Sequence, residues 1–276
     1  MKYKFNTISM HPYTACNMNP PCPFCYKKKC APQQEKPEQF WLDLVKPIAK
    51  SKLAPQLACG GGEPFMKPDF IKKLGKECKS NKLILNVTTN GKLLMYKTDN
   101  ELKELLKDIT MISISVDSFK VPDKKAYLDI KDLIVRIKSL TKCEVGINFL
   151  VEAKIKDLIS QVNELFNFLK ADRVFALCPK NIPQSILKHA PELEILGLKY
   201  EHFYVDDLTK KLLEEGMPPW KTPCHFGKDI VSINEKGEVT GCSFCSKPLL
   251  TINAPEDILK IGKIKPSPRY SCPYLK

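Results

Sequence analysis

Short runs rich in Ile, Val and Leu alternate with amphipathic segments along the first two thirds of this chain, and that rhythm constrains the fold more than any other feature. The runs are residues 4–10, 56–59, 83–88, 111–116, 144–151 and 173–177. Between them, residues 39–51, 67–80, 99–107, 121–140 and 157–170 repeat apolar side chains at helical spacing. In the last, Leu158, Ile159, Val162, Leu165, Phe166 and Leu169 form one apolar face. Asp99 and Asp157 are placed to cap two of these helices. Apolar strands separated by helices read as βα units around a parallel sheet buried on its helix-covered side. Six such units make an incomplete barrel or an open sheet, and pattern alone leaves both open.

Beyond residue 177 the texture changes. Residues 178–223 are rich in Pro and Lys, with helical patches expected at 185–196 and 206–215. From Cys224 the sequence reads as a hairpin, with strands in DIVSIN and EVTGC around a turn at 235–237, followed by a short helix near 255–261. Three segments result: 1–177, 178–223 and 224–276. With 276 residues, 43% hydrophobic and 27% charged, the chain can bury a full core, which excludes bulk disorder. No apolar run is long enough to span a bilayer. The N-terminus lacks an apolar signal segment, so a cytoplasmic protein is expected, without membrane attachment. The net charge of +13 comes from lysines scattered along the whole chain, weak support for a nucleic-acid partner.

Twelve cysteines are too many to be incidental. A chain that can fold on its core alone is no disulfide scaffold, so clustered thiols point to metal or redox chemistry. Cys16, Cys22 and Cys25 lie in CNMNPPCPFCY, on a loop broken by Pro20, Pro21 and Pro23. Such a loop can wrap one metal centre, and three protein ligands leave a position for substrate or cofactor. A zinc site with His11 as fourth ligand is the alternative, and Cys22, Cys25 and Cys30 are a second possible trio.

That loop resembles the cluster motif of the radical SAM superfamily, with Phe24 before the last cysteine and a first gap of five residues where the family has three. Further segments resemble the family in order: Gly60–Pro64 in CGGGEP, Thr88–Gly91 in TTNG, SISVDS and VGINFLV. The resemblance implies a partial (β/α)6 barrel and a [4Fe–4S] cluster on Cys16, Cys22 and Cys25 that binds S-adenosylmethionine (SAM). It implies that Gly61, Gly62 and Glu63 meet the SAM amino group, and that Thr89, Asn90, Ser115, Asp117 and Asn148 complete the cofactor site. In a parallel array these positions share one rim, because every strand points the same way.

The tail, Cys224 followed by Gly237, Cys242, Cys245 and Cys272, resembles the twitch and SPASM extensions of that superfamily. It implies a second, auxiliary [4Fe–4S] cluster; four thiolates satisfy structural zinc equally well. Cys59, Cys78 and Cys143 are expected to be buried hydrophobes, and Cys178, ending the sixth strand, is the candidate catalytic residue. By resemblance the protein is a radical SAM oxidoreductase. It would draw electrons from a flavodoxin- or ferredoxin-type donor and oxidatively modify a peptide or protein. A motif beginning at Cys16 leaves no room for a preceding peptide-recognition domain, which keeps small-molecule dehydrogenation or rearrangement close behind, with RNA modification third. A non-enzymatic zinc module is the rival from another class.

Overall fold

The structure, a computed structural model, describes residues 3–25, 34–152, 154–177, 188–205, 224–241, 247–265 and 267–269. The expectations at Cys30, Cys178, Cys242, Cys245, Cys272 and the helical patch at 206–215 lie outside these residues.

The expected rhythm is present. Strand β1 (Thr7–Met10) is followed by α1 (Glu38–Lys50), β2 (Gln56–Cys59), α2 (Pro68–Ser80), β3 (Ile84–Thr89), α3 (Lys92–Met95) and α4 (Asp99–Leu106). Then come β4 (Met111–Val116), α5 (Lys124–Leu140), β5 (Glu144–Leu150), α6 (Leu158–Asn167), β6 (Arg173–Leu177), α7 (Ala190–Lys199) and β7 (Phe203–Val205). Asp157 caps α6, its carboxylate accepting the Ser160 N–H at 2.8 Å. Asp99 does not cap α4: Thr98 does, in a reciprocal box with Glu101, while Asp99 pairs with Arg136.

Strands β1 to β7 lie side by side in sequence order, every pair parallel. Crossovers between adjacent parallel strands are right-handed, so an order without reversal keeps every connecting helix on one face. This settles the alternative left by the pattern: the sheet is a partial barrel wall, not a doubly wound sheet with a reversal of strand order. The helix-covered face carries the core. Ile8, Leu57, Leu85, Ile112, Val145 and Val174 have no exposed surface and pack with Trp41, Ile71, Leu133 and Val162 from the helices.

The C-terminal hairpin is continuous with this wall. After β8 (Cys224–Phe226), strand β9 (Ile230–Ile233) pairs in parallel with β1, so that Thr7 faces Ile230 and Met10 faces Ile233. Strands β10 (Glu238–Thr240) and β11 (Leu250–Thr251) extend a ten-stranded sheet as antiparallel neighbours. The short helix expected near 255–261 is a 3-10 helix at Pro255–Lys263, with Ile258 and Ile261 buried in the common core. Strand β12 (Ser267–Arg269) pairs with β8. Among the described residues, no helix is long and apolar enough to cross a membrane.

Because β9 shares its core with β1, Ile233→Ala should destabilise the whole wall by about 2–5 kcal/mol, the range for a buried Ile truncated to Ala. Urea unfolding of the two proteins checks this. An unchanged transition would show the hairpin to be separable from the barrel.

Candidate functional site

Strand β1 ends at Met10 and runs into the loop carrying Cys16, Cys22 and Cys25, and the loop is fastened from several sides. His11 N–H donates to Ile233 of the hairpin at 2.9 Å, and Gly60 N–H to Met10 at 2.9 Å. Gly62 N–H donates to Tyr13 C=O at 2.9 Å and Glu63 N–H to Ala15 C=O at 2.7 Å. Tyr13 is buried: its hydroxyl donates to Pro64 C=O at 2.9 Å and its ring packs edge-on to Phe70. Glu35 accepts the N–H and hydroxyl of Thr14 at 2.8 and 3.0 Å.

These contacts explain the glycines. A Cβ on Gly62 would sit 1.8 Å from Ala15 O, and one on Gly61 would sit 2.6 Å from Tyr13 O. Gly61 also has φ of +119°, a conformation L side chains avoid. The close backbone approach made here is between the glycine turn and the cysteine loop itself.

Glu63 is the centre of the arrangement. Its side chain is buried and accepts from Thr89 Oγ1 at 2.7 Å, Asn90 N–H at 2.8 Å and Phe65 N–H at 3.2 Å. Burial raises the pKa of this carboxyl above its usual value, against those hydrogen bonds and the nearby Lys120 charge. Asn90 closes the circuit, its amide donating to Asn17 of the cysteine loop at 2.7 Å. The ends of β2 and β3 and the loop after β1 thus meet around one carboxylate.

At the end of β4, Asp117 is buried and accepts the N–H groups of Phe119 at 3.1 Å and Lys120 at 3.0 Å. Ser115, Asn148 and Phe175 stand level across β4, β5 and β6. The structure therefore brings Gly61, Gly62, Glu63, Thr89 and Asn90 into direct contact with one another or with the cysteine loop. It sets Ser115 beside Asn148 and Asp117 at the same rim. Sequence reasoning missed Glu35, Asn17 and Lys120. Only Lys120 carried a readable signal, three residues beyond an Asp that turns its own backbone.

The cysteines divide by environment. Cys16 and Cys25 are exposed and Cys22 is half-buried, none of them in a disulfide. Cys59, Cys78 and Cys143 are buried, and burial pushes their thiols up, to about 12 for Cys78 and Cys143. Among the described residues, no three His, Cys, Asp or Glu side chains converge on one point as a single ion requires. Accessible soft thiols spread along one loop suit a polynuclear iron–sulfur cluster, where each thiolate serves a different iron. His11 is instead buried beside Gly60, with Nε2 3.0 Å from Ser9 Oγ.

Since Gly62 admits the Ala15 carbonyl, Gly62→Ala should displace residues 13–15. We expect most of the iron bound by the wild-type protein to be lost on anaerobic reconstitution, with the far-UV circular dichroism retained. Full iron content would show that the loop does not depend on this approach.

Residues 10–161 match the family described as the Radical SAM superfamily. No curated protein matches the chain. Among solved structures, that of Streptococcus suis SuiB bound to precursor peptide SuiA is similar at 19% identity and TM-score 0.64, covering 99% of this chain and 66% of SuiB. SuiB bound to S-adenosylmethionine is similar at 17% identity and TM-score 0.63, covering 94% of this chain and 65% of that one. This chain thus spans just under two thirds of SuiB, and the likeness at these identities is one of fold. The family match covers more than half the chain, and on that ground the chain belongs to the radical SAM superfamily.

Proposed function

We propose that this protein is a radical SAM enzyme that oxidatively modifies a peptide, with a second iron–sulfur cluster in its C-terminal segment. In this reading Cys16, Cys22 and Cys25 hold a [4Fe–4S] cluster with one iron left for SAM. When bound and reduced, that pair supplies a carbon-centred radical that removes a hydrogen atom from substrate. The chain's own residues bind, orient and shield. Gly61, Gly62 and Glu63 fix the loop against the ends of β2 and β3, and Thr89, Asn90, Ser115, Asp117 and Asn148 line the rim where the cofactor would lie. The observation that carries the reading is the hydrogen-bonded ring from Asn17 through Asn90 to Glu63 and Ala15, which fixes an accessible three-thiol loop at the strand ends.

The second cluster would take Cys224, Cys242, Cys245 and Cys272. Backbone pairing supports this set: Arg269 stands opposite Cys224 in the β8–β12 ladder, and Cys272 follows three residues later. At the other flank, β10 ends at Thr240, two residues before Cys242. A flavodoxin- or ferredoxin-type protein would supply electrons.

The peptide substrate class is supported by the inner wall. Beneath the rim the strands present Ser9, Asn86 and Ser113, with Ser113 donating to Asn86 at 3.1 Å. Strands β1 to β6 contain just two charged residues, Glu144 and Arg173, and these pair at 2.6 Å. Hydroxyls and amides suit peptide groups, whereas a phosphate-bearing substrate needs cations that this wall does not offer. SuiB, whose fold this chain shares, was solved with a precursor peptide.

Anaerobically reconstituted protein should bind about eight irons, and about four after Cys16, Cys22 and Cys25 are replaced by Ala. The triple variant should make no 5′-deoxyadenosine from SAM under dithionite, while the wild type does. Colourless protein containing zinc would refute the reading. For the substrate, a deuterated peptide pool from the source cells should pass label to deoxyadenosine; transfer from the nucleotide or RNA fraction alone would exclude the peptide.

A further inference from the structure

A half-buried ammonium lies against the cysteine loop, and the mechanism above makes no use of it. Lys120 follows β4 in the turn organised by Asp117, and its side chain is 12% exposed. Its Nζ pairs with the Asp117 carboxylate, itself 3% exposed, and stands 4.8 Å from the centre of the Phe24 ring. Phe24 lies between Cys22 and Cys25. The turn after β4 and the cysteine loop therefore meet at one cation.

Asp117 does not cancel this charge at the loop. Its carboxylate also accepts two backbone N–H groups, at 3.1 and 3.0 Å, so part of its negative charge is spent on the turn. The ammonium meanwhile faces an aromatic ring, which attracts a cation without neutralising it. Adding an electron to a cluster on Cys16, Cys22 and Cys25 adds one negative charge beside this cation. Reduction potentials of such clusters follow local charge and solvent exposure, and burial limits screening by salt.

We propose that Lys120 is a positioning residue of the N-terminal cluster, latching the cysteine loop to the end of β4 through Phe24 and raising the reduction potential of the cluster held there. The inference rests on Cys16, Cys22 and Cys25 being the ligands. Asp117 would then act in opposition, setting how much of the Lys120 charge the cluster feels.

The test is an anaerobic redox titration followed by electron paramagnetic resonance, on reconstituted full-length protein. The cluster of interest is the signal that disappears when Cys16, Cys22 and Cys25 are replaced by Ala; if none disappears, the ligand assignment fails and Lys120 is not the cause. With the signal identified, Lys120→Met should shift its midpoint potential downward and Lys120→Arg should restore most of it. Asp117→Asn should shift it upward. Opposite signs from two partners in one pair cannot come from a general loosening of the loop. If Lys120→Met fails to load iron, Asp117→Asn and Lys120→Arg still decide the sign. Potentials unchanged in the loaded variants, or moved in the same direction by Lys120→Met and Asp117→Asn, overturn the proposal. Equilibrium dialysis with SAM is the companion measurement: lost SAM binding with unchanged potential would make Lys120 a cofactor ligand instead.

Discussion

Glu63 is the constraint on which the candidate site depends. A buried carboxylate survives only when donors surround it, and here they come from Thr89, Asn90 and Phe65. These residues belong to the end of β3 and to the turn after β2, so satisfying one side chain fixes the spacing between two strand ends. The neighbouring N–H groups of Gly62 and Glu63 then carry that geometry into the cysteine loop. An unsatisfied buried acceptor costs about 1–3 kcal/mol, comparable to a sizeable part of a domain's net stability. The cysteine loop, with its three prolines, has little regular structure of its own and takes its shape from this carboxylate and the strand ends.

The sequence made the barrel legible because its strands are marked locally. Residues 56–59, 111–116 and 173–177 coincide with β2, β4 and β6, since runs of apolar residues flanked by turn formers leave few choices. The Thr98 cap was also readable, as Thr-x-x-Glu, and Asp99 was preferred only because it too is a capping residue. What no local pattern announces is pairing between distant segments. The hairpin at 230–240 was visible, but its attachment to β1 was not, because any apolar strand can complete any open edge.

The site was legible as motifs and less so as physics. Cysteine spacing, the glycine turn and TTNG sit where their order implied, and the buried state of Cys59, Cys78 and Cys143 was expected from their isolation. The glycines looked like room for a ligand, and the room they make is taken by the carbonyls of Tyr13 and Ala15. Glu35 escaped notice because a single charge among so many carries no local mark, and Lys120 because its one mark, an Asp three residues earlier, does not tell what lies across from it. Their importance comes from what the fold sets beside them.

The parallel pairing of β1 with β9 has a consequence for how the protein comes into being. One of the two edges of β1 is completed only by residues 230–233, more than two hundred positions later in the chain. During synthesis the first strand waits with an open edge, a contact of high sequence separation that slows folding. The bonds from His11 to Ile233 and from Lys36 to Glu235 cannot form before then. The cysteine loop thus takes its final shape only once residues 230–235 have docked, and a cluster bound there as proposed would depend on that docking.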